Sequence, residues 1–281
     1  MSLGIDSSAA TVAEAIRDAA KRIEHSEVRL LLAHALGLAR SDLILHSDRP
    51  LRGGERVRFE ALAERRAAGE PVAYIVGERE FYGLAFRVTP GVLIPRPETE
   101  HLVEQALERL PAGEAHSVLE LGTGSGAVAV ALAHERPRLK LTATDISEVA
   151  LAVAAENARR RGAGIEFLLS DWFAALGARR FQMIVANPPY VASGDPHLHQ
   201  GDVRFEPPLA LAGGEDGLAC LRAIVAAARR HLQPPGWLLL EHGYDQGPAC
   251  LALLREAGYE DANDYPDLAG QPRICAGLWR G

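Results

Sequence analysis

The chain has 281 residues, 48% of them hydrophobic and 24% charged, a formal net charge of −7 at pH 7, and three cysteines. That length predicts one large domain with a smaller companion, and no run approaches the roughly 18 unbroken apolar residues of a membrane span. The negative charge argues against a nonspecific nucleic-acid binder. Cys220, Cys250 and Cys275 are too scattered for a disulfide framework or a cysteine zinc site and read as core thiols.

The N-terminus shows neither a basic-then-apolar leader nor a transit composition, which predicts a cytoplasmic protein. From Thr11 to about Gly69 the period is helical. "SEVRLLLAHALG" sets Val28, Leu31, Leu32, Ala35 and Leu36 on one stripe, with Ser26 as the expected cap and Gly37 as the stop. "GERVRFEALAERRAAG" repeats the pattern through Val57 and Leu62. Residues 1–75 are therefore expected to form a small helical domain. Residues 76–96 alternate aromatic or β-branched with polar positions, as a hairpin linker would. A helix is expected from Pro97, a residue tolerated in a first turn, and residues 97–281 form the second domain.

There the strand patterns "SVLEL", "LKLTATD", "IEFLLS", "FQMIVAN", "WLLLEH" and "RICAGLW" alternate with helical ones. Short apolar strands without clean alternation are buried on both faces, so the fold class is α/β with a doubly wound, mainly parallel sheet.

Between the first strand and its helix, "ELGTGSGAV" places Gly122, Gly124 and Gly126 in the turn, where glycine permits positive φ and close approach of a ligand to the backbone. The spacing GxGxG differs from the GxGxxG of dinucleotide enzymes. Glu120, just before it, would repel a pyrophosphate but suits a ligand carrying an amino group and a sulfonium. Asp145 ends the second strand where a carboxylate can accept ribose hydroxyls, although it could equally cap the next helix, a task also open to Ser147. Asp171 and Trp172 offer a partner for a purine amino group and an apolar surface. Together these positions suit S-adenosylmethionine better than a nicotinamide, and the candidate cofactor-binding set is Glu120, Gly122, Thr123, Gly124, Ser125, Gly126, Asp145, Asp171, Trp172 and Asn187.

The fourth strand ends in "NPPY". Pro188 and Pro189 remove two amide donors and stiffen the corner, leaving carbonyl oxygens that want N–H partners. The Asn187 side-chain oxygen and the Pro188 carbonyl could hold both hydrogens of one planar NH2 group while the Tyr190 ring covers its face. An amide nitrogen is a poor nucleophile, so acceptors that hold and aim it are the chemistry required, and no metal is needed. Asn187, Pro188 and Tyr190 are the expected catalytic residues.

These segments resemble the release-factor glutamine methyltransferases (HemK/PrmC type) over nearly the whole length, through "LLLAHALG", "PVAYIVGEREFYGLAFRVTPGVLIPRPETE", "ELGTGSGAVAVALA", "ATDIS", "SDWF", "IVANPPYV", "EPPLALAGGEDGL" and "GQPRICAG". The resemblance implies a seven-stranded methyltransferase sheet behind an N-terminal helical bundle. It implies methyl transfer from S-adenosylmethionine, with S-adenosylhomocysteine as product, to the glutamine N5 of the GGQ motif in class I peptide-chain release factors. It further implies that Asn187, Pro188, Pro189 and Tyr190 hold that glutamine. Arg96 stands near the pocket mouth, with a surface salt bridge as the alternative. His242 departs from the apolar residue expected there and reads as a satisfied sheet-edge histidine; His197 and His199 read as solvent-facing.

Three other functions remain open at this level. A glutamine methyltransferase of a ribosomal protein and an N6-adenine nucleic acid methyltransferase could both use the corner, although the latter is not expected to carry "LIPRPETE" after a helical bundle. A passive binding module would have no use for it.

Overall fold

The computed structural model describes residues 10–281, which fall into two compact units divided between Gly77 and Glu78. Residues 1–9, part of the expected helical domain, lie outside the described residues.

In the first unit Thr11 opens α1 (Val12–Ala19) with a reciprocal cap. Its hydroxyl accepts from the Glu14 N–H at 3.3 Å and its own N–H donates to the Glu14 carboxylate at 2.8 Å. α2 (His25–Leu36) buries Val28, Leu31 and Leu32 completely and stops at Gly37, whose φ of 64° suits a residue without Cβ. Ser26 is not its cap: Glu24 takes that position, and the Ser26 hydroxyl donates to the Glu24 carboxylate. α3 (Asp42–Leu45), α4 (Gly53–Ala67) and α5 (Val72–Val76) complete the unit. α4 buries Phe59 and Ala63, whereas Val57 is 62% exposed. Two helical steps turn about 200°, so the helix cannot face both Val57 and Phe59 inward, and the larger ring wins.

The second unit starts with a hairpin, β1 (Glu78–Phe81) and β2 (Leu84–Arg87), closed by Tyr82 and Gly83 at φ of 52° and 70°, the positive pair a tight two-residue turn requires. Phe81, Leu84 and Phe86 are buried in the main core of this unit with Leu102, Val103 and Ala106. The segment read as a linker is thus part of the second unit, because its aromatic side chains find cover there. α6 (Glu100–Arg109) follows a short 3₁₀ turn that begins at Pro97.

Strand and helix then alternate: β3 (Ser117–Leu121), α7 (Ala127–Glu135), β4 (Lys140–Asp145), α8 (Glu148–Arg161), β5 (Ile165–Leu169), β6 (Phe181–Ala186), α9 (Ala219–Ala228), β7 (Leu232–Glu241), α10 (Gly247–Glu256), β8 (Glu260–Pro266) and β9 (Pro272–Trp279). The seven-stranded sheet has the order β5-β4-β3-β6-β7-β9-β8, with β9 antiparallel to both its neighbours and the remaining pairs parallel. Sequence patterning missed β8. It is an edge strand of polar composition, and its ladder to β9 supplies what its side chains do not.

Alternate residues of the central strands feed two cores. Val118, Val185 and Leu239 pack with α6 and α7, while Leu119, Ile184, Leu238 and Leu240 pack with α9 and α10. Strand order reverses between β3 and β6, since β4 and β5 lie on one side of β3 and β6, β7, β9 and β8 on the other. In such sheets ligands collect beyond the strand C-termini at that reversal.

Candidate active site

Parallel register decides which residues meet at that edge. Leu121 pairs with Thr144 and with Ala186, and Ala186 pairs with Leu240. The next residue on each strand therefore emerges side by side: Asp145, Gly122, Asn187 and Glu241. A cavity of about 280 Å³ opens there, lined by Gly122, Gly124, Asp145, Asp171, Trp172, Asn187 and Pro189 from the predicted set. Gly91, Val92, Leu93, Ile146, Ser147, Ala150, Ser170, Pro207, Leu209, Ala210, Ala212 and Cys220 complete the wall. Cys250 and Cys275 are buried thiols as expected, but Cys220 faces this cavity.

The glycine turn is shaped by its own backbone. Gly122, Gly124 and Gly126 have φ of 67°, 55° and 81°, and a Cβ on Gly126 would lie 3.0 Å from Ala154 Cβ and 3.1 Å from its Cα. The third glycine thus serves close packing of α7 against α8. Asp145 buttresses the turn: Oδ2 accepts the Gly124 N–H and Oδ1 the Ser147 N–H, each at 2.9 Å. Ser147 caps α8 through the Ala150 N–H, so the capping task falls to it. Each Asp145 oxygen retains a lone pair for a hydroxyl.

Glu120 is placed differently from the expectation. Side-chain alternation along β3 puts it on the α7 face, 4% exposed and away from the cavity wall, where Oε2 accepts from the Thr123 hydroxyl at 2.5 Å and the Ala129 N–H at 3.2 Å. Burial pushes its carboxyl up to about 8, outweighing those two hydrogen bonds. Thr123 and Ser125 are buried and Gly126 faces α8, so none of the three lines the cavity either.

Trp172 has φ of 45°, an unusual conformation for a tryptophan. Ser170 secures it by donating its hydroxyl to the Trp172 carbonyl at 2.9 Å and accepting the Ala175 N–H at 3.0 Å. The ring stands over Gly122, with Cζ3 3.7 Å from where a Cβ would be.

At the proline corner the Asn187 Nδ2 donates to Thr99 Oγ1 at 3.0 Å. Among the described residues, neither Asn187 Oδ1 nor the Pro188 carbonyl accepts a hydrogen bond. Asn187 and Pro189 line the cavity, whereas Pro188 and Tyr190 are not part of its wall. The Tyr190 carbonyl is held by Gln246 Nε2 at 3.0 Å, and the ring hydroxyl points to Glu241 Oε1 at 3.4 Å. Gly213 and Gly217 let a second backbone segment pass: a Cβ there would come within 2.6 Å of the Pro189 carbonyl oxygen and against the Tyr190 carbonyl oxygen, respectively. Thr99, Glu241 and Gln246 carried no local signal in the sequence, because only the folded chain brings the turn before α6, the end of β7 and the residue before α10 to Asn187 and Tyr190.

Arg96 donates to Glu206 at 2.7 Å and is not part of the cavity wall; its partner's side chain is fully buried. The salt-bridge alternative describes its contact. His242 is buried, its ring nitrogens facing the Gly243 carbonyl at 2.8 Å and Asp264 at 3.1 Å. Although burial disfavours its cation, the Asp264 carboxylate and neighbouring groups raise it to about 10. Among the described residues His242, Asp264 and Cys275 bring ligand-type atoms within 4.8 Å of one another, but both histidine nitrogens are already engaged. His197 projects outward beside Asp195.

The fold and this edge define a class, the methyltransferases built on an open α/β sheet. A methyltransferase from Pyrococcus furiosus superposes with a TM-score of 0.54 over 78% of this chain and 97% of that one, at 21% identity. The family of the methyltransferase small domain matches residues 99–202, and that of the PrmC N-terminal domain residues 10–77. Relatives named release factor glutamine methyltransferase include those of Burkholderia pseudomallei, 50% identical over 98% of both chains, and Pseudomonas aeruginosa, 51% identical over 90% of this chain and 92% of that one. The chain belongs to the release factor glutamine methyltransferase family.

Proposed function

We propose that the protein transfers a methyl group from S-adenosylmethionine to the side-chain amide nitrogen, N5, of the glutamine in the GGQ motif of class I peptide-chain release factors, with S-adenosylhomocysteine as product. Family membership supports this, and one observation in the molecule carries it. Asn187, on the cavity wall, spends its NH2 on Thr99, which leaves its side-chain oxygen as an acceptor, and the Pro188 carbonyl that follows it accepts no hydrogen bond among the described residues.

Gly122, Gly124, Asp145, Asp171 and Trp172 would hold the cofactor, and the lone pairs left on Asp145 fit a pair of hydroxyls. When bound, it supplies an electrophilic methyl group on a sulfonium. The chain's own work is to orient the glutamine amide. Two acceptors on its two N–H groups fix the plane of the amide and stabilise the positive charge that develops on nitrogen during transfer. The prolines keep those acceptors from relaxing toward internal donors.

The helical unit, residues 10–77, is assigned to docking of the release factor. No helix among the described residues is long and apolar enough to cross a membrane, and a translation factor as substrate places the work in the cytoplasm.

The test is methylation of purified release factor. Asn187→Ala is expected to lower kcat by about 100-fold, the scale for loss of an oriented polar group at a developing charge, with cofactor binding retained. An unchanged rate would refute the assignment.

A further inference from the structure

The proline corner has two ends, and different parts of the fold hold them. Upstream, Ala186 sits in the sheet, paired with Leu121 and Leu240. Downstream, the first peptide group after the corner joins Tyr190 to Val191 and is gripped at both poles. Its N–H, on Val191, donates to the Leu211 carbonyl at 3.0 Å, and its carbonyl, on Tyr190, accepts from Gln246 Nε2 at 3.0 Å. A trans peptide is planar with its N–H and C=O pointing in opposite directions, so these two bonds fix the whole plane. Among the described residues no other donor reaches the Tyr190 carbonyl.

Gln246 is itself anchored for this contact. Its backbone opens α10, accepting the Cys250 N–H and donating to the Gly243 carbonyl, each at 2.9 Å. Its side-chain oxygen accepts the Gly243 N–H at 2.9 Å. A backbone N–H requires the amide oxygen and a carbonyl requires the NH2, so the two partners together leave the side chain one orientation. Gly217 clears the approach: a Cβ there would lie 2.7 Å from Gln246 Nε2 and press on the Tyr190 carbonyl oxygen. With φ locked at Pro188 and Pro189, the torsions that can still swing the acceptors of Asn187 and Pro188 lie between Ala186 and this clamped plane.

We propose that Gln246 is a positioning residue for methyl transfer: by tying the Tyr190 carbonyl to the turn between β7 and α10, it fixes the aim of the Asn187 and Pro188 acceptors at the substrate amide. This rests on the reading of the corner as a clamp for a glutamine amide. Gln246 does not line the cavity, so its loss should act on the rate of transfer more than on cofactor binding. Gln246→Glu turns the contact into a switch. The new side chain keeps an acceptor for the Gly243 N–H, but when ionised it sets an oxygen against the Tyr190 carbonyl oxygen; protonated, it donates an O–H there in place of the amide. The charged and titratable groups of the surrounding elements are Asp245 in the same turn, His242, Asp264 and Cys275 around Gly247, and Tyr190 with Glu241. They are common to both proteins and divide out of the ratio of variant to wild-type rate.

The experiment compares steady-state methylation of purified release factor by the full chain and by its Gln246→Glu and Gln246→Met variants. It runs from about pH 5.5 to about pH 8.5, the range in which a carboxyl raised by a facing carbonyl would titrate. At the alkaline end both variants are expected to lose about tenfold or more in kcat, with KM for S-adenosylmethionine within about twofold of wild type. As pH falls, Gln246→Glu should climb back to within about threefold of the wild-type rate, while Gln246→Met, which can neither donate nor titrate, stays low. A ratio of Gln246→Glu to wild-type rate that is flat with pH, or wild-type kcat in Gln246→Met, would overturn the proposal. Should one variant fail to fold, the other decides. An inactive wild type would instead sink the amide-methylation reading. In that case hydrogen exchange at the Val191 N–H decides the clamp separately: faster exchange in Gln246→Met than in wild type supports it, and identical exchange overturns it.

Discussion

Asn157 on α8 donates through Nδ2 to the Ser125 carbonyl, at 2.8 Å, within the glycine turn. The same side chain closes on the backbone of Arg87, accepting its N–H at 2.8 Å and donating to its carbonyl at 3.0 Å. One amide, 1% exposed, therefore fastens the β1–β2 hairpin to the turn that shapes the cavity. Asn157→Ala would leave three backbone groups short of partners. Since a buried unsatisfied group costs about 1–3 kcal/mol, a loss of about 3 kcal/mol in urea-unfolding stability is expected, accompanied by weaker cofactor binding. A variant as stable as wild type would show that these bonds are dispensable.

Gly126 and Gly124 both have positive φ, yet only Gly126 is crowded by α8. Gly124→Ala meets open space and should cost only the backbone penalty of about 1–2 kcal/mol. Gly126→Ala adds contacts of 3.0 and 3.1 Å with Ala154, whose Cα cannot swing aside, and is expected to be the more destabilising by thermal unfolding. Equal melting temperatures for the two variants would contradict the packing role.

Asp145 holds two backbone N–H groups, one on each oxygen. Asn in its place keeps one acceptor and sets an NH2 against a backbone N–H. Calorimetric titration with S-adenosylmethionine should show binding weakened by about tenfold or more, the equivalent of about 1.4 kcal/mol. Undiminished affinity would remove Asp145 from the cofactor site.

Glu120 supplies a pH test that needs no substrate. Its carboxyl is raised from an ordinary 4.5 to about 8 in the fold, mainly by burial, so between those values the folded chain retains a proton that the unfolded chain has released. Stability then declines as pH rises from 4.5 toward 8 and levels off above it. Denaturant titrations of wild type and Glu120→Gln should therefore diverge, with the wild type losing stability relative to the variant across that window. Glu241 has the same sign of shift but is common to both proteins and cancels in the difference. Parallel curves would mean that Glu120 is ionised in the fold.

The parts legible from sequence are those in which the chain acts on its near neighbours. Gly122, Gly124 and Gly126 do take left-handed conformations, and the central strands were readable as unbroken apolar runs because both their faces are covered. Proline spacing made the corner readable too. Where the pattern was weak, long-range pairing supplied the structure: β8 is polar and held by its ladder, and the hairpin read as a linker is packed by Phe81 and Phe86. Glu120 looked like a cavity residue because it precedes the glycine turn, but the two-residue period of β3 sends it beneath α7.

Local covalent geometry and hydrophobic period sufficed to place a glycine turn and a proline corner at the ends of buried strands, since both signals act over a few residues. Which side chains brace them was decided only in three dimensions. Thr99 lies 88 residues from Asn187, Glu241 lies 51 from Tyr190, and Asn157 lies 70 from Arg87. Their meeting follows from strand register for Glu241 and from the packing of α6 and α8 on the sheet for Thr99 and Asn157, relations that exist only once separate strands have paired and the helices have covered them.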